Sequence, residues 1–509
     1  MQHPPIPATV YLVGAGPGDP GLITIRGAER LAKADLVLYD YLVNPSILRF
    51  APRTAELICL GGHRLQRILS QDEINLRMVE AARRGRTVVR LKGGDPDVFG
   101  RSAEETEALR AAGIPYETVP GVTAALAAAG YAGIPITHAH HASAVALVAG
   151  QERREKQGPL LDYEALADFP GTLVIYMGVT SARQWSEAML RRGKPADTPV
   201  AIVRRCSWND QQTLRCTLGT VADVIAERKL RPPAVIVVGE VVSLASEGCW
   251  FTSRPLFGKK VLVTRPRDQA EEMMAPLTDL GAEVLVQPAI EISAPADWTP
   301  VDQALSRLHE YDWLVYSSSN GVRGLLDRLL EIGGDLRRLG NVKLAAIGPG
   351  TADELREYRL RADLVPAEYR AEALAESLAA GAAGKRFLLA RASRGREVLA
   401  DTLRTAGATV DQVVVYRSTD VEHPDQEIAE GLAAGRIDWV TVTSSAIAAS
   451  LVRMFGDALR TAKLASISPV TSGALAKLGF PPAAEARQYT VDGLIEAILR
   501  SGDEGKSTL

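Results

Sequence analysis

Apolar residues along this chain fall in short runs of four or five, and stretches of helical period separate the runs. Val88-Val89-Arg90-Leu91 is one such run and reads as a buried strand. Gly93-Gly94-Asp95-Pro96 ends it. Ser102 to Ala112 then reads as a helix, with Glu104, Glu105 and Glu107 in its first turns, where the helix dipole favours acids. The same pattern predicts strands at Thr9–Val13, Asp35–Tyr39, Tyr116–Val119, Ala144–Ala149, Thr172–Tyr176, Val200–Val203 and Ala234–Val238. Helices are predicted at Thr24–Ala34 and Leu76–Arg84, and again after Gly121. Pro255 and Gly258 interrupt the series. A second one opens with Lys260–Thr264 and continues with Val284–Val286, Trp313–Tyr316, Lys343–Ile347, Arg386–Ala390, Val413–Tyr416, Trp439–Thr443 and Leu464–Ile467. Strands alternating with helices throughout make the fold class α/β. The boundaries expected are a first half 1–250, a linker 251–257, a second half 258–500 and a polar tail 501–509.

The second half contains an internal echo. Tyr316-Ser317-Ser318-Ser319-Asn320-Gly321 matches Thr441-Val442-Thr443-Ser444-Ser445-Ala446 in kind. Ala346-Ile347-Gly348-Pro349-Gly350-Thr351 likewise matches Ser466-Ile467-Ser468-Pro469-Val470-Thr471. Each is a strand running into a hydroxyl-rich or proline turn, which predicts two α/β lobes of one kind.

Composition narrows the classes. A chain of 509 residues holds more than one domain. With 46% hydrophobic and 23% charged residues it builds ordinary globular cores. A net charge of −3 argues against a strongly basic nucleic-acid binder. The four cysteines, Cys59, Cys206, Cys216 and Cys249, have neither zinc-like nor disulfide-framework spacing and fit a reducing cytoplasm. No signal-peptide pattern is visible, and no apolar run approaches the roughly 18 residues that span a bilayer. A soluble cytoplasmic protein without a metal is expected. His138, His140 and His141 lack companion ligands at metal spacing and read as a polar loop.

Candidate chemistry sits in the glycine turns. Gly14-Ala15-Gly16 after a strand, with Asp40 at the end of the next, resembles half of a dinucleotide fingerprint. Asp19 stands where its third glycine belongs, and Pro17 has no N–H for a pyrophosphate, so NAD binding is disfavoured. No GxxxxGK[ST] is present, which argues against ATP chemistry. The Gly93-Gly94 turn lets backbone approach a ligand, and Asp95 offers a carboxylate free to accept from a hydroxyl or amine.

These segments carry a resemblance. Val10-Tyr11-Leu12-Val13-Gly14-Ala15-Gly16-Pro17-Gly18-Asp19 is similar to the opening signature of the S-adenosylmethionine-dependent tetrapyrrole methylases. Leu91-Lys92-Gly93-Gly94-Asp95-Pro96 resembles their second signature. Pro120-Gly121-Val122-Thr123-Ala124-Ala125, Gly133-Ile134-Pro135-Ile136-Thr137-His138 and Tyr176-Met177-Gly178 complete the set over about residues 8–250. Within that family the uroporphyrinogen-III C-methyltransferases, which make precorrin-2, are nearest. The resemblance implies a two-lobed methylase fold and a homodimer formed through this half. It implies S-adenosylmethionine contacts at Pro17, Gly93, Gly94, Asp95, Val98, Thr123, Ala124, Met177 and Cys206, and Asp40 as proton acceptor. Cys206 stands where a glycine is usual. The family's proposed donor lysine falls on Gly62, beside His63 and Arg64, and Ala139 replaces the arginine of a Thr-His-Arg segment.

About Gly258 to Ile498 resembles uroporphyrinogen-III synthase. The carrying segments are Val263-Thr264-Arg265-Pro266, the two echoes, Val414-Val415-Tyr416-Arg417 and Tyr489-Thr490-Val491-Asp492-Gly493-Leu494. The implied fold has two discontinuous lobes, 258–292 plus 417–500 and 293–416. The implied substrate is hydroxymethylbilane, an open tetrapyrrole with eight carboxylates, and the implied product is uroporphyrinogen III. Hydroxyls at Thr264, Ser318, Thr351, Thr443, Ser444 and Thr471 and charges at Arg265 and Arg391 are expected to bind it. Tyr416 matches a tyrosine proposed to assist hydroxyl departure. The alternative is a second half that binds tetrapyrrole and regulates without turnover.

Overall fold

The computed structural model describes residues 9–61, 69–152, 161–245 and 248–503. The chain forms two compact units, Met1–Gly258 and Lys259–Leu509.

The first unit holds two five-stranded sheets. One comprises β1 (Val10–Gly14), β2 (Leu36–Tyr39), β3 (Glu56–Cys59), β4 (Val88–Lys92) and β5 (Tyr116–Val119), all parallel in the order β3-β2-β4-β1-β5. The other comprises β6 (Val145–Ala149), β7 (Thr172–Tyr176), β8 (Pro199–Arg204), β9 (Gln212–Thr217) and β10 (Ala234–Val238), in the order β6-β7-β10-β8-β9, with only β6 and β7 parallel. The first sheet buries both faces, which is why its strands read as unbroken apolar runs. The edge strands β3 and β9 do not read so. Glu56 and Leu57 are exposed, and no residue of Gln212–Thr217 is fully buried, so neither shows the run that marks a central strand.

The second unit also holds two sheets. One joins β11 (Lys260–Val263), β12 (Glu283–Val286), β18 (Trp439–Val442), β19 (Lys463–Ser466) and β20 (Ala484–Glu485), in the order β12-β11-β18-β19-β20. The other joins β13 (Ile290–Ser293), β14 (Trp313–Tyr316), β15 (Lys343–Ala346), β16 (Arg386–Ala392) and β17 (Thr409–Asp420), in the order β13-β17-β16-β14-β15. Strand β17 is three times the length the apolar pattern suggests, and β13 pairs antiparallel with its far end. Strand β13 pairs with Arg417–Asp420 of β17, while Ala289 and Ile290 pack in the core around Leu262 and Val440, so this ribbon joins the two lobes.

The echo extends to the packing. Asp312 precedes β14 and accepts from Arg386 N at 2.9 Å and Lys385 Nζ at 2.8 Å. Asp438 precedes β18 and accepts from Lys260 N at 2.8 Å and Lys259 Nζ at 2.9 Å. Lys343 lies over the Trp313 ring and Lys463 over the Trp439 ring, each 5.4 Å from the centroid. Serines 318, 444 and 468 cap the helices Ser319–Glu331, Ser445–Phe455 and Pro469–Lys477, each accepting from the backbone N–H three residues on. Gly348 holds the fourth such position, before Pro349–Glu357.

Three helix ends differ from the periodic reading. Gln71–Arg83 starts before Leu76 because Ser70 and Glu73 form a reciprocal capping box. Ile25–Leu31 is shorter than expected, beginning after its Thr24 cap. Val491–Asp503 runs past residue 501, where the polar composition suggests a tail. Among the described residues no helix is long and apolar enough to cross a membrane.

The Lys385 ion pair and the Arg386 N–H hold the Asp312 carboxylate below the ordinary aspartate range. Its contribution to stability is therefore complete above the unfolded-state value and is lost as pH falls through the lower folded-state value. Asp312→Asn should lower the urea midpoint of the second unit at neutral pH. The gap from wild type should close below about pH 4.

Candidate active sites

The first site forms where the parallel strands of the first sheet end. Backbone of three loops meets there. Gly16 and Gly94 exchange hydrogen bonds, Gly94 N to Gly16 O at 2.7 Å and Gly16 N to Gly94 O at 3.1 Å. A Cβ on Gly14 would come within 2.6 Å of Gly121 Cα, and one on Gly121 within 2.7 Å of Gly14 Cα. Only glycine permits that approach. Asp95 ties the loops together: Oδ2 accepts from Gly121 N at 2.9 Å and Oδ1 from Asp97 N at 2.8 Å. The carboxylate is thus anchored rather than free, and each oxygen keeps a lone pair for a ligand.

The second sheet supplies the opposing side. Tyr176, at the end of β7, meets Thr123 Oγ1 at 2.6 Å and accepts from Ala125 N at 2.8 Å, which docks it on the start of the helix Ala124–Ala132. Its ring lies 5.0 Å from that of Phe99. The next residue, Met177, is 49% exposed on left-handed backbone with φ of 53°. Phe99, Arg101, Arg205 and Ser207 share this rare conformation, so among the described residues five of the seven non-glycine residues with positive φ surround one site. The turn after β8 clasps the first glycine loop. Trp208 Nε1 donates to Pro17 O at 3.0 Å, Asp19 N to Ser207 Oγ at 3.0 Å, and Tyr131 OH to Asp19 Oδ2 at 2.8 Å. A Cβ on Gly18 would come within 2.5 Å of the Trp208 indole nitrogen. Cys206 is buried in this turn, and desolvation pushes its thiol up to about 12, so it stays protonated.

Beneath the glycines lies a buried charge network. Alternation along β4 puts Arg90 and Lys92 on one face of a central strand, 3% and 2% exposed. Glu105, fully buried on the covering helix Ser102–Ala111, divides its carboxylate between them: Oε1 to Arg90 Nε at 3.0 Å, Oε2 to Lys92 Nζ at 2.6 Å. The far end of Arg90 reaches Asp40 Oδ1 at 2.5 Å. Burial opposes the Arg90 charge, yet Asp40 and Glu105 together hold it above the ordinary arginine range. Burial, helped by repulsion from Arg90, lowers Lys92.

In the second unit, Tyr416 OH lies 3.0 Å from Ser318 Oγ, beside the start of the helix Ser319–Glu331. Burial raises the Tyr416 phenol, partly offset by Ser318 and Arg394, so it is protonated at neutral pH. Thr443 and Ser444 follow β18 at the matching turn of the other lobe, where Ser444 caps Ser445–Phe455. Thr351 and Thr471 are buried in the first turns of Pro349–Glu357 and Pro469–Lys477. Gln269 Nε2 donates to Asn320 Oδ1 at 2.7 Å from one lobe to the other. A polar hollow of about 400 Å³, lined by His309, Arg338, Lys343 and Lys385 among others, lies at the opposite end of the strands, where Asp312 and Trp313 begin β14.

Two family models match the chain: tetrapyrrole (corrin/porphyrin) methylases over residues 9–222, and uroporphyrinogen-III synthase HemD over residues 271–496. A porphyrin biosynthesis protein HemD of Ruminiclostridium josui is 35% identical over 99% of both chains. The chain belongs to the fused tetrapyrrole methylase–uroporphyrinogen-III synthase family. A uroporphyrinogen-III C-methyltransferase of Bacillus subtilis is 37% identical over 68% of this chain and 71% of its own. A siroheme synthase of Zymomonas mobilis is 45% identical over 48% of this chain and 51% of its own.

The methylase half brings Pro17, Gly93, Gly94, Asp95, Thr123, Ala124, Met177 and Cys206 into one linked neighbourhood. Asp40 borders it, since Leu42 packs where a Cβ on Gly93 would come within 3.1 Å. Val98 is half-buried between Asp97 and Phe99 on the same loop. Gly62, His63 and Arg64 lie outside the described residues. In the synthase half Thr264 is fully buried and its hydroxyl donates to Thr441 O at 2.5 Å, so that hydroxyl braces the sheet. Arg265 pairs with Glu272 at 2.8 Å, and Arg391 with Glu397 and with Gln412 at 2.7 Å, so neither charge is free. The residues that local pattern misses are Glu105, Arg90, Lys92, Tyr176 and Trp208. The signal was present in β4, where two cations at i and i+2 in an otherwise apolar central strand require a buried acid. Among the described residues no cluster of three or more His, Cys, Asp or Glu side chains is arranged for a metal.

Glu105→Gln should destabilise the methylase half by roughly 3 kcal/mol, because it leaves buried Lys92 without an acid and Arg90 with Asp40 alone. Replacing Arg90, Lys92 and Glu105 together by Met, Met and Leu should cost less than that single change, as read from urea midpoints of both variants.

Proposed function

We propose that the synthase half closes hydroxymethylbilane to uroporphyrinogen III with inversion of the last pyrrole, and that the methylase half methylates this product twice to give precorrin-2, with S-adenosylmethionine as donor. The observation that supports this most is that the two families joined on one chain catalyse consecutive steps: the product of one is the substrate of the other.

The first site suits the donor. Its rim is bare backbone: a Cβ on Gly94 would meet nothing nearer than Thr123 Cα at 3.9 Å, so the loop edge is open. Asp95, the carbonyl edges of Gly93 and Gly94, and the half-exposed Met177 would hold the amine and ribose, with Pro17, Val98, Thr123, Ala124 and Cys206 completing the wall. Bound there, the sulfonium supplies an electrophilic methyl. The chain's own task is alignment and proton management. Arg90 occupies Asp40 Oδ1 and fixes the carboxylate, leaving Oδ2 to take the proton lost as the pyrrole carbon is alkylated.

In the synthase half, the phenol of Tyr416, held against Ser318, would donate to the departing hydroxyl. Backbone N–H groups in the first turns after Ser318, Gly348, Ser444 and Ser468 are suited to the substrate carboxylates. Thr351, Thr443 and Thr471 border them. Arg265 and Arg391 would have to exchange their acidic partners for substrate. We further propose that the methylase half forms a homodimer, which sedimentation at micromolar concentration tests, and that the protein serves siroheme formation.

The deciding assay supplies purified protein with hydroxymethylbilane and S-adenosylmethionine. Methylated isomer III supports the reading; accumulation of uroporphyrinogen I alone, with no methyl transfer, overturns it. Assaying each half separately distinguishes turnover from mere tetrapyrrole binding. Asp95→Ala should weaken S-adenosylhomocysteine binding at least about tenfold by calorimetry, because it removes both a ligand contact and the Gly121 anchor, a charge-assisted bond. Synthase activity of that variant should be unchanged.

A further inference from the structure

The two lobes of the second unit have separate buried cores. One is centred on Leu262, Val440 and Leu464, the other on Leu314, Leu388 and Leu344. Polar contacts between them include Gln269 with Asn320 at 2.7 Å and Arg323 with Asp268 at 3.7 Å. One aromatic contact also crosses: Tyr369 of one lobe meets Tyr489 of the other, centroids 6.2 Å apart and rings perpendicular. The two residues are equivalents under the internal duplication. Leu364 bridges Ala345 as Ala484 pairs with Ala465, and at the same sequence interval beyond each comes a tyrosine, then the helix Ala371–Ala379 or Val491–Asp503. Both rings stay well exposed, 43% and 40%, although a buried tyrosine would serve a structural role better.

Gly348 explains how Tyr369 reaches this position. A Cβ there would come within 3.1 Å of Tyr369 Cβ. Its absence lets the tyrosine lie directly over the N-terminal turn of Pro349–Glu357. An aromatic face thus stands beside the positive end of that helix, where Pro349 has no N–H and the Thr351 and Ala352 N–H groups turn back to Gly348 O. That pairing matches a pyrrole ring that carries a carboxylate arm: the ring stacks on the tyrosine and the arm reaches the helix start. A ring entering between the two tyrosines exchanges their single edge-to-face contact for one aromatic contact with each.

Building on the synthase reading above, we infer that Tyr369 and Tyr489 are substrate-positioning residues, an aromatic clamp that parts to take one pyrrole ring of the open tetrapyrrole and holds the chain bent for closure. Steady-state kinetics with hydroxymethylbilane on the full-length protein test this. Tyr369→Leu and Tyr489→Leu should each raise KM roughly tenfold with kcat within about twofold, the signature of lost ground-state positioning, and should increase the share of isomer I. Tyr369→Phe and Tyr489→Phe should keep wild-type KM, because the ring face and not the hydroxyl does the holding. Gly348→Ala should reproduce the KM increase by displacing Tyr369. Methylation of supplied uroporphyrinogen III should be unaffected throughout. Leu variants with wild-type KM and isomer ratio, or Phe variants as impaired as Leu, would overturn the clamp while leaving the synthase reading intact. Wild-type protein that forms no isomer III would overturn both.

Discussion

Two positive charges lie inside a parallel sheet, and the methylase half is arranged around keeping them neutralised. Arg90 and Lys92 occupy one face of the central strand β4, where apolar side chains would pack at no electrostatic cost. Glu105 divides its two oxygens between them, and Asp40 takes the outer end of the guanidinium. Two cations and two anions balance, so the cluster tolerates burial; removal of any one member does not leave a balanced set. The arrangement also transmits position. Glu105 fixes Arg90, Arg90 fixes Asp40, and Lys92 leads directly into Gly93. The buried ions therefore set both the carboxylate and the loop that border the proposed methyl-transfer site.

Above that layer the site is built from close backbone approach. Gly14, Gly94 and Gly121 come together because none has a side chain, and Asp95 fastens the junction. Around it, Phe99, Arg101, Met177, Arg205 and Ser207 hold left-handed backbone that their side chains disfavour. Strain of that kind persists only where surrounding contacts over-determine the turn. Here Trp208 on Pro17, Ser207 on Asp19 and Tyr176 on Thr123 supply those contacts. The ligand edge is thus kept open by the second sheet, which explains why residues far apart in sequence are needed to hold an unadorned glycine turn.

Much of this was legible from the chain. Central strands buried on both faces show as apolar runs, and the glycine turns announce themselves by composition. The echo between 316–321 and 441–446 already implied duplicated lobes, and the structure extends it to Asp312-Trp313 and Asp438-Trp439. Edge strands such as Gln212–Thr217 were not legible, because half-exposed residues carry no run. Glu105 was misread for a related reason: an acid early in a helix suits the dipole, and nothing local tells a solvated acid from one buried against two cations. Thr264 looked like its neighbours in the hydroxyl-rich turns, but its register in β11's extension points it at Thr441 O. Partners set by topology, not by spacing, are what the one-dimensional pattern lacks.

In the proposed reading the two halves answer different recognition problems, and the difference follows from the ligands assigned to them. A methyl donor is compact and needs one rigid pose, which close-packed glycines and a neutralised charge layer provide. An open tetrapyrrole is long and flexible and carries many carboxylates, so the binding surface must be distributed. The duplication provides that, placing four corresponding helix starts on two lobes, three of them capped by serine. Arginines would bind such a polyanion strongly, yet Arg265 and Arg391 are each held by a neighbouring acid. In the proposed reading, backbone N–H groups and tyrosine faces would bind more weakly and let the product leave. On a chain whose first half would consume that product, release matters as much as capture.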